Sequence, residues 1–309
     1  MPHDEHRVTV MAPAEIVFDL ISDVRRWPYT LTPTIHAEQL ERTGGTERIR
    51  LWALANGEVK TWTSLREIDA TGKRVSFRQE VTQAPAAEMR GEWILEPNGP
   101  RETSVLLTHD YRAIDDDPER EQWIRLAVDR NSVAELDRIK VAAERRKLDE
   151  LTLSFEDSLR IGGSAGDVYE FLYQAKAWPE RLPHVARLEL EEDVPGVQRM
   201  EMDTRGADGS VHTTKSIRIC FDGERIVYKQ TEVPALMSAH TGEWQLEPDG
   251  DGVLATSRHT VVIEPAAVPK VFGEGATLRK AREFVQQALS KNSCTTLAHA
   301  KAFAEARRG

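Results

Sequence analysis

The sequence predicts an α+β protein built from two copies of one domain, each a curled antiparallel sheet closed by a long carboxy-terminal helix around an interior pocket. Three observations carry that expectation. The chain repeats itself: Trp27-Pro28 returns as Trp178-Pro179 and Gly91-Glu92-Trp93 as Gly242-Glu243-Trp244, both 151 residues on, and Asn131-Ser132 returns as Asn292-Ser293 after 161. A period this long means a duplicated domain, not a solenoid of small units. Within each copy, alternating apolar and polar runs separated by Gly, Asn and Asp turns predict an antiparallel meander. Each copy then ends on a long amphipathic stretch.

In order, 7–11 reads as a strand and 13–22 as a helix with Ile16, Val17 and Leu20 at helical spacing. Runs at 35–42, 47–54, 58–68, 73–80, 87–96 and 102–113 read as the meander. Asp117 is placed as an N-cap with Pro118 at the first helical position. The closing helix runs to about Lys147 on a stripe of Ile124, Val128, Val133, Leu136, Ile139 and Ala143. The basic run after Glu144, Arg145-Arg146-Lys147, suits a helix carboxy-terminus. The second copy ends on a helix over 269–307, and the seam falls near Glu150, giving domains 1–150 and 151–309.

Composition excludes several function classes. The chain has 41 basic and 51 acidic residues, a net charge of −10 that argues against coating nucleic acid or an anionic membrane. No window approaches the roughly 20 apolar residues of a membrane span. The start lacks a secretory pattern, so a cytoplasmic protein is expected. Cys220 and Cys294 are too few for a disulfide framework or a thiolate metal site. No nucleotide-binding glycine loop, His-Glu-x-x-His or Gly-x-Ser-x-Gly occurs. The histidines show no metal spacing, and His3 and His6 read as a solvated tail. Neither a metal nor a cofactor is expected.

Period-two arithmetic then sorts the strand residues by face. Trp62, Ser64 and Arg66 share one face, as do Thr214, Ser216 and Arg218 in the second copy. A solvent face is the bland reading of such arginines; a pocket face is the other, favoured by the Trp. His109 shares a face with Val105, Leu107 and Tyr111, and His259 with Ser257 and Val261. Each histidine is open to a core or a reactive reading. Trp93 and Trp244 are open to a core or a ligand-contact reading.

Taken together, Trp27-Pro28 after an amphipathic helix, the Trp62-Thr-Ser64-Leu-Arg66 segment, Gly91-Glu92-Trp93 and Asn131-Ser132 resemble the aromatase/cyclases of bacterial type II polyketide synthases. The duplication resembles their di-domain subclass. That resemblance implies the helix-grip fold of the START and Bet v 1-like superfamily. It also implies cofactor-independent aldol cyclisation of a poly-β-ketone on acyl carrier protein, typically between C7 and C12, then dehydration to the first aromatic ring. The partners implied are the acyl carrier protein, the ketosynthase and, in reducing systems, a ketoreductase. Carried over residue by residue, Arg66, Ser64, His109, Arg218, Ser216 and His259 are the catalytic candidates. Trp62, Trp27, Tyr29, Trp93, Thr214, Trp178 and Trp244 are the substrate-binding ones. Single-domain relatives often carry a Tyr near the position of Thr34; this chain does not, and Tyr29 is the nearest stand-in.

The implied chemistry needs chain folding that brings one carbon to one carbonyl and positive charge where an alkoxide develops. Arg66 offers charge and a rigid fork of donors but no transferable proton. Water, His109 or a hydroxyl polarised by Arg66 is then the proton source. A Trp wall at Trp62 suits the first copy to shape selection; Thr214, Ser216, Arg218 and His259 suit the second to expelling a hydroxyl. The alternative is a non-catalytic carrier or chaperone of a hydrophobic ligand, since fold does not fix function.

Overall fold

The computed structural model describes residues 1–144, 148–206 and 209–308. The basic run 145–147, expected to end the first long helix, lies outside the described residues. The chain divides into two compact units, one from Met1 to Leu148 and one beginning at Asp149. None of the described helices is long and apolar enough to cross a membrane.

Unit 1 begins with β1 (His3–Val10), α1 (Ala14–Ser22) and the single turn α2 (Trp27–Thr30). The meander follows as β2 (Thr34–Thr43), β3 (Thr46–Ala55), β4 (Glu58–Asp69), β5 (Arg74–Val81), β6 (Ala86–Gly99) and β7 (Glu102–Ala113), and α3 (Pro118–Glu144) closes it. The sheet order is β1-β7-β6-β5-β4-β3-β2, so every hairpin neighbour in sequence is a neighbour in space and β1 closes on β7. Asn56 and Gly57, both at positive φ (50° and 85°), make the two-residue turn between β3 and β4 whose twist matches the strands. Asp117 accepts from the amides of Glu119 and Arg120 at 2.9 Å, the N-cap expected ahead of Pro118. The concave face is packed by Val17, Phe18, Leu20 and Ile21 of α1 and by Leu136, Ile139 and Ala143 of α3.

Unit 2 repeats the plan. A turn, α4 (Leu148–Leu151), leads to β8 (Thr152–Ile161), α5 (Ala165–Tyr173) and α6 (Trp178–Arg181). The strands are β9 (Val185–Val194), β10 (Val197–Arg205), β11 (Val211–Phe221), β12 (Arg225–Glu232), β13 (Met237–Asp249) and β14 (Gly252–Ile263), ordered β8-β14-β13-β12-β11-β10-β9. Two tandem helix-grip domains are therefore present, each a seven-stranded antiparallel sheet with a long helix.

Four expectations need correction. Val133 is 50 % exposed; the buried stripe of α3 passes through Ala127, Val128 and Ser132 instead, because a helix places 128 and 132 on one face and turns 133 away. Ile16 likewise faces solvent, beyond the edge of the apolar face that Val17 and Leu20 bury. The final helix is not continuous from 269: α7 (Val268–Phe272) stops at Gly273, at φ 88°, and α8 (Leu278–Ala306) restarts under a Thr277 cap. His3 and His6 are not a loose tail but belong to β1, where His3 meets Asp110 at 2.8 Å and His6 meets Asp129 at 3.0 Å.

One cross-strand row matters for everything that follows. Arg66 on β4 stands opposite Phe77 on β5, Phe77 opposite Gly91 on β6, and Gly91 opposite His109 on β7. A Cβ on Gly91 would lie 1.9 Å from the Thr108 carbonyl oxygen and 2.6 Å from Phe77 Cζ. The glycine of Gly-Glu-Trp is there because the Thr108 carbonyl and the Phe77 ring occupy the space a side chain would need. Gly91→Ala should therefore destabilise unit 1 by about 3 kcal/mol or more, the upper range for overpacking, read as a lowered denaturation midpoint.

Candidate active site

The site begins with an unmet need at the end of a helix. The last carbonyls of an α-helix have no intrahelical donor, and α1 carries no basic residue in its last turn. Arg66 reaches across from β4 and supplies both the donors and the charge. Its Nη2 donates to the Ile21 carbonyl at 2.7 Å and its Nη1 to that of Ser22 at 3.3 Å. Trp27 adds a third contact, its Nε1 donating to the Leu20 carbonyl at 3.2 Å, and its ring lies 4.9 Å from the Arg66 guanidinium carbon. Cation and dipole are thus matched where the helix is most negative. Glu47 on β3 balances the charge, accepting from Arg66 Nη1 at 2.6 Å; both side chains are 1 % exposed. Burial pulls the guanidinium down to about 10, with Glu47 opposing, so it stays charged at neutral pH.

Behind this clasp a cavity of about 160 Å³ opens between the sheet and α3. That is comparable with an engineered cavity of roughly 150 Å³ that admits benzene. Trp27, Trp62, Phe77, Trp93 and Leu107 form apolar walls; Ser64, Arg66, His109, Ser132 and Glu135 are among the polar groups. His109 Nδ1 is buried with no hydrogen-bond partner among the described residues, and its ring meets Phe77 edge-on at 5.4 Å. Burial lowers the imidazole to about 3, so it is neutral near pH 7 and does not carry a proton as imidazolium. Glu135, on the inner face of α3, behaves oppositely. Desolvation alone pushes its carboxyl up to about 8, and no described residue pairs with it. A carboxyl titrating near neutrality inside an apolar cavity can both give and take a proton.

Unit 2 keeps the clasp and changes its balance. Arg218 Nη2 donates to the Leu172 carbonyl at 2.6 Å, Trp178 Nε1 to that of Phe171 at 3.2 Å, and the Arg218 guanidinium carbon lies 5.3 Å from the Trp178 ring. Gln198 stands where unit 1 has Glu47, directly opposite Arg218, and Arg218 Nη1 is buried without a partner. Burial lowers this guanidinium too. His259 lies in a hydrogen-bonded cluster with Tyr228, His240, Ser257 and Ser293. Burial lowers His259 to about 4 and His240 well below its ordinary value.

The structure thus brings Trp27, Trp62, Ser64, Arg66, Trp93 and His109 to one cavity wall. Arg66 and Arg218 face inward, against the solvent-face reading. Tyr29 is half-buried and lies outside that wall. Thr214 is buried, its hydroxyl donating to the Met202 carbonyl at 3.5 Å; Ser216 Oγ is buried without a partner. Trp178 and Trp244 are packed in the core of unit 2, as Trp93 is in that of unit 1. Sequence reasoning missed Glu135, Tyr228 and His240. Glu135 had a signal: it continues Ile124, Ala127, Val128, Asn131 and Ser132 along one helical face, a carboxyl on an apolar stripe.

Comparison with known proteins agrees with this layout. A family described as polyketide cyclase/dehydrase and lipid transport matches residues 1–144, and a second family of the same description matches residues 161–286. The chain is 43 % identical to the granaticin polyketide synthase bifunctional cyclase/dehydratase of Streptomyces violaceoruber, covering 96 % of this chain and 92 % of that one. It is 44 % identical to the actinorhodin polyketide synthase bifunctional cyclase/dehydratase of Streptomyces coelicolor, covering 97 % of each. The crystal structure of the di-domain ARO/CYC BexL from the BE-7585A biosynthetic pathway matches with a TM-score of 0.87 at 51 % identity, over 99 % of this chain and 100 % of that one. That of StfQ from the steffimycin pathway matches at 0.83 and 38 %, over 99 % of each.

Two stability outcomes follow from these environments. Arg66→Ala leaves Glu47 buried without its cation, and should cost about 3–5 kcal/mol; adding Glu47→Gln, the unit 2 residue, should recover part of it in urea denaturation. Glu135 has the opposite sign from a salt-bridged carboxylate. Its folded value, about 8, lies above the ordinary 4.5, so between those values the folded state holds the extra proton and stability falls as pH rises. Glu135→Gln should remove that fall, its stability advantage over wild type growing from pH 5 to pH 8.

Proposed function

Because the chain belongs to the polyketide cyclase/dehydrase family, we propose that it cyclises a poly-β-ketone carried on acyl carrier protein, closing the first ring between C7 and C12 and expelling water toward an aromatic ring. The observation that carries this reading is the unpaired Glu135 carboxyl inside the apolar cavity of unit 1. An apolar lining alone suits a carrier equally well; a desolvated acid tuned near neutrality favours chemistry.

The steps divide as follows. A methylene between two ketones is acidic enough that forming its enolate asks little of the protein. Trp27, Trp62, Phe77 and Trp93 supply flat walls on which the folded chain lies, so that one nucleophilic carbon meets one carbonyl. As the carbon–carbon bond forms, negative charge grows on the attacked carbonyl oxygen. Protonated Glu135 gives that oxygen its proton, and the resulting carboxylate can take the next one from carbon. Neutral His109 contributes a hydrogen bond rather than charge, as a neutral imidazole can when it polarises a carbonyl. Arg66 is a positioning residue here: its named donors hold α1 and Glu47, and its remaining influence on an oxyanion is through the field it sets in the cavity. Unit 2, with no carboxyl at the matching position, serves the loss of water. The acyl carrier protein and a ketosynthase supply the substrate, and a ketoreductase sets whether it arrives reduced.

The test is product analysis with a minimal polyketide synthase, with and without a ketoreductase. Glu135→Gln should lower correctly cyclised product by on the order of 10²-fold or more, the scale for removing a general acid–base group. Unchanged product from the folded variant would return the cavity to a carrier's role.

A further inference from the structure

Unit 2 differs from unit 1 at the positions that face the concave side of its sheet. The row Arg66–Phe77–Gly91–His109 has its counterpart in Arg218, Tyr228, Gly242 and His259, again each opposite the next. A Cβ on Gly242 would meet the Tyr228 Cζ and hydroxyl at 2.3 Å, so this ring too lies across the glycine. Here it ends in a hydroxyl, 3.1 Å from His259 Nδ1. Met89 is replaced by His240, whose Nε2 lies 3.0 Å from the same Nδ1. Leu107 is replaced by Ser257, which with Ser293 faces His259 Nε2 at 3.2 and 2.7 Å. Both nitrogens of His259 are therefore occupied, and the chain of contacts ends at His240 Nδ1, which is buried without a partner.

That atom has company. Gln198 Oε1, Arg218 Nη1, Ser216 Oγ and Gln230 Oε1 are also buried and unpartnered. Gln198 pairs with Arg218 across the sheet, and Ser216 with Gln230 in the next row on the same face. Each unsatisfied buried polar group costs about 1–3 kcal/mol, so a group of donors and acceptors left open on one face describes a ligand that carries both. A hydroxyl and a ketone on one ring meet that description.

We propose that unit 2 holds a second acid–base site, in which His240 Nδ1 moves the proton and Tyr228, His259 and Ser293 hold its tautomer, for elimination of water from a cyclised β-hydroxy ketone. This rests on the cyclase/dehydratase reading above. Arg218 Nη1 donates to the ketone oxygen. The His240 lone pair takes the proton from the carbon between ketone and carbinol, breaking C–H and placing the electron pair on that oxygen. The enolate collapses, forming the carbon–carbon double bond and breaking C–O, and the departing hydroxyl takes the proton back from His240 as water. The histidine is regenerated, and no oxidant or reductant enters. Charge on His240 during the step is shared with His259 through their hydrogen bond. Unit 1, with Met89 and Phe77 at these positions, has no such wire.

The test uses the full chain with a minimal polyketide synthase and ketoreductase, and variants that import unit 1's own residues. His240→Met, and His240→Gln as a second variant that keeps a polar group toward His259, should cut aromatised product by on the order of 10²-fold. In its place the cyclised precursor, heavier by one water, should accumulate. Tyr228→Phe should cut it less and shift the imidazole ¹⁵N resonances of His240 and His259, which a purely packing role would leave in place. Aromatised yield within about twofold of wild type from either folded His240 variant would overturn the proposal, since the step asks for at least a general acid–base group's worth of rate. So would loss of first-ring closure without precursor. If wild type itself neither cyclises nor aromatises any chain, the cyclase/dehydratase reading fails instead.

Discussion

The clasp between an arginine on the sheet and the carboxy-terminal carbonyls of the first helix is the constraint on which each domain depends. Arg66 and Arg218 do the same work: they meet orphan carbonyls, face a tryptophan ring and tie the helix to the third meander strand of the unit's sheet. A lysine would bring a point charge; the planar fork of Arg66 reaches two carbonyls and a carboxylate at once. With the helix pinned at that end, the sheet curls around a space that the long helix then covers. The Trp-Pro and Ser-x-Arg motifs, far apart in sequence, are two halves of this one contact.

Pinning a cation in an apolar interior has a cost that the two units meet differently. Unit 1 buries Glu47 beside Arg66, and the pair is held further by Gln39, whose Nε2 donates to Glu47 Oε2 at 2.6 Å. Unit 2 has Gln198 in that place. Its nearest carboxylate partner lies one step away: Glu192 accepts from Gln198 Nε2 at 2.9 Å and from the hydroxyl of Tyr173, and these bonds, against its own burial, keep it ionised. Arg218 is thereby left with an open donor and a field not cancelled at contact range. In a low-dielectric interior an uncancelled charge acts over a longer distance, so the same fold offers a shielded cation in one unit and an available one in the other.

Most of the frame was legible in the sequence. Duplication, meander and closing helix rest on periodicities that tertiary packing reinforces, and Asp117 and the Asn56-Gly57 turn obey local rules no neighbour overrides. The face of Arg66 was not legible, because period two assigns a shared face without saying which side is the core. Val133 was misplaced for a related reason: it is apolar, but Ser132 is the residue the helix turns inward. Glu135 escaped because a carboxyl on a helix reads as a solvated charge until the cavity beside it is known. His240 and Tyr228 carry meaning only in the register that sets them against Gly242 and His259. Roles that depend on which group lacks a partner are properties of packing, and sequence pattern does not encode them.

The two interiors also exclude one another's equipment. At the position of Glu135 unit 2 has Thr296, whose hydroxyl is turned back to the Asn292 carbonyl at 2.9 Å. At the position of His240 unit 1 has Met89. A carboxylic acid hydrogen-bonded to an imidazole can hand it the proton, since an opposite charge at short range lowers the acid and raises the base. In unit 1 His109 lines the same cavity as Glu135, but burial keeps its ring neutral and Glu135 has no hydrogen-bond partner among the described residues. Glu135 stays protonated because burial opposes its charge and nothing cationic among the described residues neighbours it at contact range, and His240 stays neutral because burial and its neighbour His259 both oppose its charge. Each domain thus buries a titratable group of its own, an acid that holds its proton in unit 1 and an imidazole that lacks one in unit 2.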